Sequence, residues 1–151
     1  MKTLYLLPHR FKMIGWIIFI PSLILGLVIL SSGLEFDSVN IPVIYNSGFP
    51  FGSERTGFFQ WAEVDLIQNI TGILIIIGGI LVGFSQEKQE DEYLSSLRLK
   101  SVFWSLLISY AIILALFISI FGGLFFTVML LAVYLPLILY ILRFNYLLLK
   151  K

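Results

Sequence analysis

The stretch that decides the fold is residues 101–142, SVFWSLLISYAIILALFISIFGGLFFTVMLLAVYLPLILYIL, which contain no Asp, Glu, Lys, Arg or His. At about 1.5 Å per helical residue, this run is about twice as long as a hydrocarbon core of about 30 Å requires. One span is therefore excluded, and the run reads as two, residues 101–122 and 123–142, folded back at Gly122-Gly123. Glycine enters the backbone conformations of a tight turn without a side-chain penalty.

Working outward, residues 13–31 and 66–86 are likewise free of charge. Each is long enough to cross a bilayer, and a backbone in lipid must satisfy its own hydrogen bonds, so both read as helices. Composition agrees. Of 151 residues, 59% are hydrophobic and 13% charged, where soluble domains carry about 25% charged residues. A soluble domain of this length buries only about 70% of its unfolded surface, too little for a mean hydropathy of +0.99. The expected fold is an all-α membrane protein, a four-transmembrane-helix bundle forming one domain over residues 1–151. The absence of cysteine excludes disulfides, thiolate metal sites and cysteine nucleophiles.

Charge placement gives orientation. Lys2, Arg10 and Lys12 precede the first span, Lys88, Arg98 and Lys100 separate the second from the third, and Arg143, Lys150 and Lys151 follow the fourth. Only Arg55 falls on the other side. By the positive-inside rule both termini lie in the cytoplasm, as in a multi-pass protein of the bacterial inner membrane. A cleaved signal peptide is the competing reading of the start. Its apolar core would be longer than the usual 7 to 15 residues and would contain Pro21.

The outer loop, residues 32–65, holds Glu35, Asp37, Glu54, Glu63 and Asp65 against Arg55. Val39, Ile41, Val43 and Tyr45 alternate with Asn40, Pro42 and Ile44, the pattern of a short strand, and Leu34-Glu35-Phe36 is a candidate to pair with it in a β-hairpin. Pro42 would restrict that strand to an edge. After a turn at Asn46-Ser47-Gly48, the aromatic residues Phe49, Phe51, Phe58, Phe59 and Trp61 read as an interfacial belt, with a ligand-binding cap as the functional alternative.

On the cytosolic side, residues 86–100 read as a helical extension of the third span. Glu87, Glu90, Asp91 and Glu92 come first and Arg98 and Lys100 last, which suits the helix dipole. Lys88 and Glu92 have i,i+4 spacing, and Tyr93, Leu94 and Leu97 form an apolar stripe. The leading segment from Leu4 to Trp16 reads as lying along the inner leaflet and turning at Gly15-Trp16, with His9, Arg10 and Lys12 at lipid headgroups. A lone histidine in that company is a headgroup contact before it is a metal ligand.

Small residues recur at packing intervals: Gly15, Ser22 and Gly26 in the first span, Gly72, Gly79 and Gly83 in the second, and Ser101, Ser105 and Ser109 or Ala111, Ala115, Ser119 and Gly123 after them. They serve packing within one bundle or across a homo-oligomer. Glu63, Asp65, Gln68 and Asn69 form a polar group at the outer end of the second span. A transporter or channel would use it as a vestibule, yet coupled transport usually needs an ionisable group at mid-depth and no span has one. No HExxH, GxSxG, phosphate loop or cysteine–histidine pair is present, and no basic nucleic-acid surface.

The run Phe84-Ser85-Gln86-Glu87-Lys88-Gln89-Glu90-Asp91-Glu92-Tyr93, continuing through Leu97-Arg98 to Ser101 and Trp104, resembles a cytosolic FSxEKxEDE-type motif in a group of small uncharacterised bacterial membrane proteins. Leu7-Pro8 and residues 11–16 are similar to the start of those proteins. The resemblance implies the same four-span layout and no catalytic activity or cofactor. The residues themselves predict a non-enzymatic membrane protein, a small regulator, sensor or accessory subunit. Its expected protein-binding surface is Glu90, Asp91, Glu92, Tyr93, Leu97 and Arg98, with membrane lipids as its other partners.

Overall fold

The computed structural model describes residues 6–32, 38–46, 57–88 and 91–150. It contains helix α1 (Arg10–Ser32), strands β1 (Val39–Asn46) and β2 (Gly57–Val64), and helices α2 (Leu66–Gly83), α3 (Glu92–Ser119) and α4 (Leu124–Leu149). All four helices are long and apolar enough to cross a membrane. Pro21 in α1 and Pro136 in α4 stand inside helices, as membrane helices tolerate.

The chain divides into two compact units, Met1–Pro21 with Leu74–Lys151 and Ser22–Ile73. In the first, α1 and α2 meet through glycine. A Cβ on Gly15 would lie 2.8 Å from Leu81 Cβ and from the Val82 nitrogen, and one on Gly78 would lie 2.9 Å from Phe19 Cα. Gly15 thus serves close approach of two backbones. It lies inside a continuous α1, which corrects the expected turn at Gly15-Trp16. Helices α3 and α4 pack together through a turn in which Gly122 has φ +86°, the left-handed region that glycine occupies freely. Phe117 and Phe125 meet across that turn with ring centroids 5.0 Å apart and their planes tilted by 43°.

One buried stripe runs along α3: Leu94, Leu97, Arg98, Ser101, Ser105 and Ser109. Ser101 Oγ donates to the Leu97 carbonyl (2.8 Å) and Ser109 Oγ to that of Ser105, so these hydroxyls satisfy themselves locally and the face stays small enough for close packing. The second candidate row, Ala111, Ala115, Ser119 and Gly123, is exposed.

In the second unit, β1 and β2 form an antiparallel hairpin with Val39 opposite Val64, Ile41 opposite Ala62 and Tyr45 opposite Phe58. Alternation puts Val39, Ile41, Val43 and Tyr45 on one face with Ala62 and Phe58; Ala62 is buried, and the Tyr45 and Phe58 rings lie 4.9 Å apart. The partner of β1 is residues 57–64, which pair with it at seven positions, while the expected partner Leu34-Glu35-Phe36 lies outside the described residues. Phe58, Phe59 and Trp61 belong to this strand and are exposed on the hairpin. Phe59 has φ 53°, an uncommon conformation for an aromatic residue. Pro42 stands opposite Trp61, and in a sheet of two strands every strand is an edge.

Leu4, Tyr5, Leu34–Asp37, the Ser47-Gly48 turn, Phe49, Phe51, Glu54, Arg55, Gln89 and Glu90 lie outside the described residues.

Candidate functional site

Among the described residues, side-chain and backbone hydrogen bonds from several parts of the chain gather at the C-terminal end of α2. A helix end leaves its last carbonyls without intrahelical donors, and in or near a bilayer water cannot be relied on to supply them. Here the chain supplies them. The Phe84 nitrogen donates to the Ile80 carbonyl (2.9 Å) and Ser85 Oγ to that of Leu81. Arg98 Nη1 and Tyr140 Oη both donate to the Gly83 carbonyl, each at 2.7 Å, while Arg98 Nη2 reaches the Ser85 carbonyl at 3.2 Å.

The connector beyond is held by the N-terminal segment. Leu7 pairs with Ser85 as an isolated parallel bridge: its nitrogen donates to the Phe84 carbonyl (3.0 Å) and its carbonyl accepts from the Gln86 nitrogen (2.8 Å). His9 Nδ1 donates to the Gln86 carbonyl at 2.9 Å, which places its proton on Nδ1, and the Lys12 ammonium forms an ion pair with Glu87. Four separate parts of the chain, Leu7–Lys12, the connector, Arg98 and Tyr140, thus converge on one helix end.

This arrangement revises several expectations. Helix α2 stops at Gly83, not Gln86, because residues 84–86 direct their backbone to Leu7 and His9. Helix α3 begins at Glu92, not residue 86, because the Asp91 side chain accepts from the Leu94 nitrogen (2.9 Å) and caps it. Lys88 stands outside that helix, so the Lys88–Glu92 helical pair does not form. His9 and Lys12, expected at headgroups, bond to the chain; Arg10 is the exposed member of that trio.

Arg98 and Leu97, expected to bind a partner, are buried at 3% and 9% exposure, together with Leu94. A guanidinium carries a planar fork of donors, and two carbonyls at a helix end suit it better than a solvated headgroup boundary. The Phe144 ring, 4.7 Å from Arg98 Cζ, covers the cation. Of the expected surface, Asp91, Glu92 and Tyr93 remain exposed, and Glu90 lies outside the described residues.

The polar group at the other end of α2 does not close into a site. Glu63 is exposed on β2 opposite Asn40, and Gln68 and Asn69 are exposed in the first turns of α2. Asp65 is half-buried, and its Oδ1 is buried without a hydrogen-bond partner among the described residues. No group of three His, Cys, Asp or Glu side chains suited to a metal ion occurs among the described residues.

Tyr140 and Phe144 carry no sequence motif, and Ser85 stands in the Phe84–Tyr93 run without a role assigned to it. A signal for Phe144 exists: folding the chain back at Gly122-Gly123 sets Arg98 and Ser101 within about a turn of it. No family model matches the chain, and no curated protein or solved structure matches it at a significant level.

Proposed function

We propose that this chain is a multi-pass four-helix bundle of the bacterial inner membrane with both termini in the cytoplasm, and that it acts without chemistry of its own as a small regulator, sensor or accessory subunit. Its partner docks at the cytoplasmic start of α3. The supporting observation is that Asp91, Glu92 and Tyr93 are exposed on a helix start held in place by the Asp91 cap and by the contacts of Arg98, His9, Lys12 and Tyr140. Acidic residues oppose contact with an anionic leaflet, so a protein is the better occupant. The distribution of Lys and Arg supports the orientation.

Two experiments test this. The chain has no cysteine, so single cysteines at Ser38 and Ser96, both exposed, report topology with a membrane-impermeant reagent. Position 38 should label in intact spheroplasts and position 96 only after lysis; the reverse would overturn the orientation. A photo-crosslinking residue at position 93 in native membranes should give one discrete adduct, lost when Asp91 and Glu92 are changed to Lys. Adducts equally frequent from position 58 would remove the case for docking at α3.

A second reading, a small transporter or channel, is favoured by the buried Oδ1 of Asp65 alone, which has no hydrogen-bond partner among the described residues. It predicts that Asp65→Asn changes solute flux in proteoliposomes without unfolding the protein.

A further inference from the structure

Arg143 has a different environment from Arg98. Its Cζ sits 4.3 Å from the centroid of the Trp104 ring, which joins the last turns of α4 to α3. Its Nε is buried and lacks a hydrogen-bond partner among the described residues. No carboxylate among the described residues pairs with it: Glu87 is taken by Lys12, and Asp91 and Glu92 stand about 18 Å back along α3 from Trp104. Lys100 is exposed one turn before Trp104 on the same face, and Lys150 lies two turns beyond Arg143 on α4. The arrangement is a cation clamped to an aromatic plate, with further cations on both sides and no counter-ion among the described residues.

We infer that Arg143, Trp104 and Lys100 form a binding site between α3 and α4 for the phosphodiester headgroup of an anionic phospholipid. A guanidinium covered by an indole ring retains its planar fork of Nη donors, the geometry that phosphate oxygens accept. Trp at the end of a span belongs at the headgroup level, and Lys one turn further out extends its ammonium to the same layer. Basic clusters between membrane helices bind anionic headgroups in this way. The inference holds whichever side of the membrane this end faces, and it uses none of the residues of the proposed protein-docking surface.

The test uses the full chain, delipidated in neutral detergent, with bound lipid counted by native mass spectrometry and thermal stability followed in parallel. The probes are dioleoylphosphatidylglycerol, dioleoylphosphatidylcholine and inorganic phosphate. Phosphatidylglycerol should bind and stabilise, while phosphatidylcholine and free phosphate should not. Lys100→Gln and Arg143→Gln should each weaken phosphatidylglycerol about fivefold, since each cation near the surface contributes about 1 kcal/mol. Trp104→Leu, which keeps the charges but removes the plate, should weaken it as well, and Arg10→Gln should leave it unchanged. If Arg143→Gln fails to fold, the exposed Lys100→Gln together with Trp104→Leu decides the matter. Unchanged affinity in these variants, or equal binding of phosphatidylcholine, would overturn the lipid site. Stabilisation by inorganic phosphate equal to that by phosphatidylglycerol would replace it with a free-anion site.

Discussion

Removing the Arg98 fork should be among the most damaging single changes in the protein, and its size can be worked from the two carbonyls it serves. Replacing a buried ionic network with apolar residues is often neutral, because all partners leave together. Here the partners are the backbone carbonyls of Gly83 and Ser85, which no substitution removes. In Arg98→Met the Gly83 carbonyl keeps Tyr140, but the Ser85 carbonyl loses the donor that Arg98 gave it. An orphaned buried acceptor costs about 1–3 kcal/mol, a hydrogen bond from a charged donor contributes about 1.5–3, and relief of the buried charge offsets part of the sum. A net loss of about 2–4 kcal/mol is expected. Tyr140→Phe alone should cost about 1 kcal/mol, since Arg98 still donates to the same oxygen. In the double variant the Gly83 carbonyl loses both donors, so the loss should exceed the sum of the single losses by about 1 kcal/mol. Equilibrium unfolding in mixed micelles, with all four members of the cycle, measures this. Wild-type stability in Arg98→Met, or strict additivity in the cycle, would refute the shared-acceptor geometry.

Among the glycines, the cost of a side chain should follow what it meets. Gly15→Leu meets α2 backbone and should unfold the first unit, Gly79→Leu and Gly83→Leu, which meet Leu137 and Tyr140, should destabilise less severely, and Ile76→Leu should be mild. Gly122→Ala meets nothing within 4 Å but has φ +86°, so it should cost only about 1–2 kcal/mol; thermal denaturation in detergent ranks the series, and equal stabilities would refute packing through glycine. Lys12→Glu and Glu87→Lys should each loosen the connector, and the charge-swapped double variant should recover protection of the Leu7 and Gln86 amides in hydrogen exchange. Failure of the swap to recover it would show that the backbone bridge alone holds the segment.

The features legible in the sequence are those set by local chemistry. Runs without charge predict the four helices because span length and backbone desolvation leave no other structure, and Gly122-Gly123 predicts the turn because few residues enter φ +86° without strain. The alternation from Val39 to Tyr45 likewise predicts β1 from side-chain direction alone. The small-residue row at Ser101, Ser105 and Ser109 was legible as a packing face, but so was the row at Ala111 and Ala115. Only the packed helices decide which one is covered.

What the sequence left open depended on acceptors that a sequence does not display. Every helix has terminal carbonyls, and no residue letter announces which distant donor will reach them. Arg98 and Leu97 read as part of a protein-binding surface from their place after Glu90, Asp91 and Glu92, and Leu94 as part of its apolar stripe. Tertiary structure turned the arginine onto Gly83 and Ser85 and buried both leucines, because the end of α2 needed donors more than the leaflet needed a cation. The partner of β1 and the pairing of Leu7 with Ser85 were undetermined for the same reason: many segments of a chain can donate to a free backbone edge, and the packed fold selects one.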